Sequence, residues 1–206
     1  EYRRFFFFYT QTRNVRSFAG HMLEILQHVQ TAPCLKKYVD LVVVFGAPVE
    51  KLWGLPAINV DNGVSVESIQ PHRNNFSAPG TDINLLGVIG TSIAHGYSRV
   101  LNGLSIYENR RSSTEPHINF YIVGQNETIT ELKSQADELY LAERVHFLGY
   151  KKADELVKLY DINDAAISCL GEYKVGLTHL SPLKSREYCA AGIPFIYAYE
   201  DFLLNE

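Results

Sequence analysis

The order of apolar runs predicts an α/β protein: a Rossmann-like, doubly wound parallel sheet over residues 82–206. Three observations carry this. Short, near-continuous apolar runs of strand length recur at 83–89, 118–123, 145–148, 165–170 and 193–198. The segments between them place apolar residues at helical spacing, and Gly90, Gly124, Gly149 and Gly171 stand where four of the runs end. Strict β-α alternation requires right-handed crossovers and a parallel sheet covered on both faces.

The preceding residues follow another pattern. Val15, Phe18, Ala19, Met22, Leu26 and Val29 keep helical spacing up to Pro33, residues 41–45 form a short β-branched run, and residues 56–60 form a second. Asp61-Asn62-Gly63 is a turn signal. One helix and two short strands cannot bury a core of their own. Residues 1–60 are therefore expected to be the tail of an incomplete preceding domain, and residues 61–81, rich in Ser, Asn and Pro, a linker. The aromatic run at 5–9 follows Arg3 and Arg4 and is too short for a membrane span or a signal-peptide core. It reads either as the edge of a core element or as an exposed contact patch.

From residue 82 each strand leads into a helix. The helical faces are Tyr97, Val100, Leu101 and Leu104, then Ile129, Leu132, Ala136 and Leu139, then Ala153, Leu156, Val157 and Tyr160. Asp161 and Asp164 mark a helix end and the next strand's start. The final pair of strands is joined through residues 181–196, SPLKSREYCAAGIPFI. Ser181 is suited to the N-cap, Pro182 to the first helical position and Gly192 to a left-handed stop, with Pro194 just beyond. The first turn of this helix offers backbone N–H groups together with Lys184 and Arg186, and Glu187 follows at once, so an anion and a hydroxyl-bearing group can be held side by side. The alternative is a capped helix with solvated charges.

Composition excludes several classes. The chain of 206 residues is 46% hydrophobic and 20% charged, which suits a folded globular protein. A net charge of −4 gives no electrostatic reason to expect nucleic-acid binding. Cys34, Cys169 and Cys189 are odd in number and lack C-x-x-C spacing, as expected of buried thiols in a reducing, cytoplasmic compartment.

In a doubly wound sheet, ligands sit at the carboxyl ends of the strands, which directs attention to the loops at 90–96, 124–126, 149–152 and 171–182. None contains G-x-G-x-x-G or G-x-x-x-x-G-K-[ST], so hydride transfer and P-loop ATPase chemistry lose support. The seven histidines lack metal-ligand spacing and no Asp-x-Asp pair occurs, so no metal is expected to be required.

Taken together, the motifs from residue 56 to 201 resemble the C-terminal half of a GT-B glycosyltransferase of the retaining group called family 4, the glycosyl transferases of group 1. Asp61-Asn62-Gly63-Val64 is similar to that family's interdomain Asn-Gly-Val, Ile122-Val123-Gly124 to its strand-glycine turn, and Val145-His146-Phe147-Leu148-Gly149 to its V-x-F-x-G strand. His95-Gly96 stands where the family opens its first helix with Lys-Gly. The most specific match is Pro182-Leu183-Lys184-Ser185-Arg186-Glu187-Tyr188 followed by Ala191-Gly192-Ile193-Pro194.

The resemblance implies that Glu187 takes the ribose hydroxyls of a nucleotide-sugar donor, that the backbone of Leu183 and Lys184, just after the donor-site Pro182, takes the diphosphate, and that the Phe147 to Tyr150 turn, through Leu148 and Gly149, holds the base. Gly90, Thr91 and Gly124 would complete the donor loops. Three positions depart from the family: its first-strand arginine is Thr91 or Ser92 here, its lysine is His95, and the first glutamate of E-x7-E is His179. Lys184 and Arg99 are candidates for the missing charge. His95 either contacts the diphosphate as a cation, or is neutral and donates one hydrogen bond or caps the helix. The implied activity is sugar transfer from a UDP- or GDP-linked donor to a saccharide or lipid-linked acceptor, for polysaccharide or glycoconjugate synthesis, with no cofactor. The domain is expected to be truncated at its C-terminus, and the chain alone to bind donor without turning it over. Peripheral membrane contact, at the membrane's inner face, would come through the preceding domain. An epimerase of the same fold, a non-catalytic nucleotide binder and a pure interaction module are the alternatives.

Overall fold

The computed structural model describes residues 37–44, 49–69, 71, 82–90, 95–175, 178–201 and 204. The expected N-terminal helix, the aromatic run at 5–9, Cys34, Thr91 and Ser92 lie outside these residues. The chain divides into two compact units, Glu1–Asp61 and Asn62–Glu206. Among the described residues no helix is long and apolar enough to cross a membrane.

In the first unit, β1 (Val42–Val44) pairs in parallel with β3 (Leu55–Asn59), and β2 (Lys51–Leu52) pairs antiparallel to β3. The sequence reading found β1 and β3 but not β2. The reason lies in the hairpin turn, where Trp53 and Gly54 both adopt positive φ (53° and 74°), the two-residue geometry that matches strand twist. Trp-Gly is not the usual residue pair for that turn. Val42, Val44 and Leu55 form a small core with Leu52 and Trp53 against it.

The second unit alternates β4 (Ile83–Val88), α1 (Tyr97–Arg110), β5 (Ile118–Val123), α2 (Thr128–Glu138), β6 (Val145–Gly149), α3 (Ala153–Ile162), β7 (Ala165–Ile167), α4 (Leu183–Ala191) and β8 (Phe195–Ile196). All five strands are parallel, in the order β6-β5-β4-β7-β8. This is the Rossmann order, with its switch point between β4 and β7. Side chains alternate across the sheet: Phe120 and Ile122 pack with Tyr97, Leu101, Leu104 and Leu132 of α1 and α2, whereas Leu86 and Val123 pack with Tyr160 of α3 and Tyr188 and Ala191 of α4. Each face thus has its own core.

Two strands are shorter than their apolar runs. β7 covers Ala165–Ile167 and β8 only Phe195–Ile196, although single backbone bonds run on beyond them, from Ser168 N–H to the Ile196 carbonyl (2.9 Å) and from Ala198 N–H to the Cys169 carbonyl (3.0 Å). The fully buried Ser168 hydroxyl lies 2.7 Å from that of Ser185 and 3.1 Å from that of Tyr199. The expected turn at 61–63 does not form, and these residues belong to no helix or strand. Asn62 is tied to α4's approach, its backbone N–H donating to Ser181 Oγ at 3.3 Å and its side-chain amide to the Ser181 carbonyl.

The loops that leave β4 and β7 are in backbone contact. Gly96 adopts φ +76° at the N-cap of α1, where an added Cβ would stand 2.6 Å from the Gly171 nitrogen. Left-handed strain and backbone overlap act together here, so Gly96→Ala should destabilise the fold by about 2–5 kcal/mol in chemical denaturation. Gly103→Ala, with nothing within 4 Å of its Cβ inside α1, should be neutral or stabilising by up to about 1 kcal/mol.

Candidate donor site at the switch point

The strand order places the candidate site at the carboxyl ends of β4 and β7. Tyr97, on the first turn of α1, sets its hydroxyl 3.0 Å from the Val88 carbonyl and 2.9 Å from that of Ile167, bridging the two strand ends from a fully buried position. The backbone adds a second tie, from Leu170 N–H to the His95 carbonyl at 2.8 Å.

His95 and Lys184, far apart in sequence, meet beneath these loops. The Gly90 N–H donates to His95 Nε2 at 2.8 Å, and His95 Nδ1 lies 3.1 Å from Lys184 Nζ and 3.6 Å from Cys169 Sγ. Lys184 Nζ also donates to the Val88 carbonyl at 3.1 Å and lies 5.6 Å from the centre of the Tyr97 ring. Burial, with Lys184 alongside, pushes the His95 pKa from 6.5 down to about 3. Of the two sequence readings of His95, the structure fits the neutral one, though its Nε2 accepts a bond rather than donating it. Burial likewise lowers the Lys184 pKa and raises that of Cys169.

The helix α4 begins one residue later than expected. Pro182 is its N-cap residue, and Ser181 Oγ accepts from Asn62 and from Arg186 (2.8 Å) instead of capping. Gly192 makes the left-handed stop at φ 73°. The charges of the first turn are not solvated: Lys184 and Arg186 are both buried, and Arg186 pairs with Asp201 at 2.7 Å. Cys189, expected to be buried, is exposed.

Glu187 is half-buried one turn into α4. The only hydrogen bond recorded for its carboxylate among the described residues is a long one, 3.5 Å, from the Tyr160 hydroxyl. Burial raises its pKa. A carboxylate so placed keeps most of its acceptor capacity for a ligand's hydroxyl groups.

The other predicted residues are distributed around the sheet's edge. Gly124 (φ +120°) donates to the Gly149 carbonyl at 2.9 Å and approaches Ile89 so closely that a Cβ would stand 2.3 Å from its carbonyl oxygen. The loops after β4, β5 and β6 therefore pack through backbone. Leu148 packs into the α3–α4 core, Gly149 turns at φ 69°, and Tyr150 is exposed. Leu183 is also exposed at the start of α4. Arg99 donates to the Leu170 carbonyl at 2.6 Å and lies over Tyr173. His179 pairs with Glu200 at 2.6 Å.

Sequence reasoning missed Tyr97, Cys169 and Glu172 as members of this cluster. Tyr97 read as an ordinary core residue, and the segment holding the other two has no local pattern. A cavity of about 740 Å³ is lined by Glu108, His117 and residues 137–144 at the amino ends of β5 and β6. It lies at the edge of the sheet where ligands of this fold do not bind.

The glycosyl transferases group 1 family profile matches residues 92–200, just over half of the chain. The chain belongs to this family. Among solved structures it is similar to the lipopolysaccharide outer core galactosyltransferase WaaB in its apo form (18% identity over 82% of this chain and 46% of that one, TM-score 0.51). It is also similar to Anabaena HepE in complex with UDP-glucose (15% identity, 81% and 47%, TM-score 0.55) and to sucrose-phosphate synthase from Thermosynechococcus elongatus (14% identity, 90% and 46%, TM-score 0.58). At these identities the likeness shows the fold alone, a GT-B Rossmann-like domain. The chain spans less than half the length of each of these structures. No curated protein sequence matches it.

The neutral ring of His95 makes stability pH-dependent. As pH falls from 6.5 toward 3 the unfolded chain takes up this proton before the folded one, so the contribution is complete above pH 6.5 and is lost on acidification. Urea denaturation should show wild type losing up to about 1.4 kcal/mol per pH unit relative to His95→Gln between pH 6.5 and 4.

Proposed function

We propose that the protein is a retaining glycosyltransferase that binds a UDP- or GDP-linked sugar at the switch point and passes the sugar to a saccharide or lipid-linked acceptor in polysaccharide or glycoconjugate synthesis. The observation that carries this reading is Glu187. Its half-buried carboxylate stands one turn beyond the N-terminus of α4, so a ribose and a diphosphate on adjoining atoms of one ligand meet the carboxylate and the helix end together. Family membership and the UDP-glucose bound by the structurally similar HepE support the same reading.

In this mechanism the chain supplies position and charge rather than a covalent nucleophile. The first N–H groups of α4, at Leu183 and Lys184, face the diphosphate, where negative charge grows as the glycosidic bond breaks. The Leu148 to Tyr150 turn takes the base. Lys184, on the first turn of this helix, is the cation that meets His95, and Gly90 N–H orients that ring against it. No metal is required on this reading, because the helix end and the lysine do the neutralising. The buried Cys169 thiol suits a cytoplasmic setting, and a lipid-linked acceptor would bring the enzyme to the membrane's inner face.

Titration calorimetry with UDP-glucose and GDP-mannose tests the proposal. One of them should bind, and Glu187→Ala should weaken that binding by about 1.5–3 kcal/mol, roughly 10- to 150-fold, with an unchanged melting curve. Equal affinity in the mutant would remove Glu187 from the site. Epimerisation of the bound sugar without transfer would replace the transferase reading.

A further inference from the structure

The donor atoms of His95, Cys169 and Glu172 lie within 4.8 Å of one another, and all three residues are buried. In kind they match a zinc ligand set. One hydrogen bond turns that reading aside. A backbone N–H can only donate, so the Gly90 N–H at 2.8 Å requires a lone pair on His95 Nε2, and the single proton of the neutral ring is then on Nδ1. To ligate a metal through Nδ1 the ring would have to become an imidazolate. Nδ1 is instead a donor.

Two atoms stand within reach of that donor: Lys184 Nζ at 3.1 Å and Cys169 Sγ at 3.6 Å. The nitrogen has the better distance for a hydrogen bond. An ammonium offers three donors and no acceptor, so a charged Lys184 would set donor against donor inside a buried site. An amine resolves this. Its lone pair accepts from Nδ1–H while one of its own N–H groups donates to the Val88 carbonyl at 3.1 Å. Among the described residues, the titratable groups facing Lys184 are His95 and Tyr97 from the start of α1, Cys169 after β7, and Glu172 in the short helical turn that follows. Burial, the largest cause, favours both the amine and the Cys169 thiol, while Cys169 and, less strongly, the Glu172 carboxylate act on Lys184 the other way, toward the ammonium.

We infer that Lys184 is a neutral amine in the empty cleft and becomes an ammonium when an anionic diphosphate binds at the N-terminus of α4. This rests on the donor-binding reading above. In the step, the amine lone pair takes one proton from solvent and forms a fourth bond to nitrogen. His95 keeps its Nδ1 proton and redirects it to Cys169 Sγ. The cleft therefore does not hold a desolvated charge while empty, and the charge appears only with its counter-ion. Binding takes up a proton, so affinity is highest at low pH and falls as pH rises, by up to tenfold per unit, once pH passes the lowered pKa of the empty site.

Two measurements on the whole chain test this. In the unliganded protein the ¹³Cε and ¹⁵Nζ shifts of Lys184, assigned by their loss in Lys184→Arg, should be those of an amine at pH 7.5; ammonium shifts would overturn the inference. Calorimetry of UDP-glucose in buffers of different ionisation enthalpy should show uptake of about one proton at pH 7.5 in wild type and about none in Lys184→Arg, whose guanidinium is always charged. UDP-glucose lacks the terminal-phosphate ionisation that would obscure this uptake. Binding without uptake, or equal uptake in the variant, would refute the inference. If UDP-glucose does not bind, its use as donor fails, and the NMR measurement alone decides the state of Lys184.

Discussion

The constraint that governs this domain is the need to satisfy buried polar groups where β4 and β7 end together. At a switch point the neighbouring crossovers leave in opposite directions, and the carbonyls at the strand ends are exposed to whatever fills the crevice. Here the chain fills much of it. The Tyr97 hydroxyl meets the carbonyls of Val88 and Ile167, Lys184 meets Val88 again, and His95 takes the Gly90 N–H. An unpaired buried group of this kind costs about 1–3 kcal/mol, so each of these side chains is held where the backbone needs it.

That satisfaction fixes the electrostatics. A protonated His95 would lose the lone pair that Gly90 N–H requires, and burial acts in the same direction. Positive charge in the crevice then comes from the helix end of α4, joined by Lys184 once an anion is bound, rather than from imidazole. His95, which the resemblance sets against a lysine, accepts a backbone bond here as a neutral ring. It orders the β4 loop and faces the one lysine that is present.

Much of the fold was legible in sequence because it rests on periodicity. The strands β4, β5 and β6 differ from the reading by at most one residue at an end, and the apolar faces read for the helices fall within α1 to α3 or next to their ends. Elements fixed by polar contacts were less legible. The buried Ser168 hydroxyl finds its partners 17 and 31 positions away, and the β2–β3 turn depends on a tryptophan at positive φ. The site followed the same division. Glu187 and the α4 motif were visible as local sequence, whereas the burial of Lys184 and its contact with His95 depend on a sequence separation of 89 residues.

Helix α4 shows why that burial matters. Its inward residues include Lys184, Ser185 and Arg186, where an ordinary sheet-packed helix would carry aliphatic side chains. Each has specific partners: His95 and Val88 for the lysine, Ser168 and Tyr199 for the serine, and Asp201, Ser181 and Asn62 for the arginine. A buried ion pair such as Arg186–Asp201 adds little net stability over apolar packing, because desolvation offsets the Coulomb attraction. What these contacts supply is direction. Apolar side chains tolerate sliding and rotation of a helix, but a hydrogen bond weakens steeply with angle, and three polar residues bonded to three separate elements leave α4 a single position. The N–H groups at Leu183 and Lys184 and the carboxylate of Glu187 ride on that position. They are thereby held in fixed relation before any ligand arrives, which is the condition for electrostatic stabilisation without reorganisation.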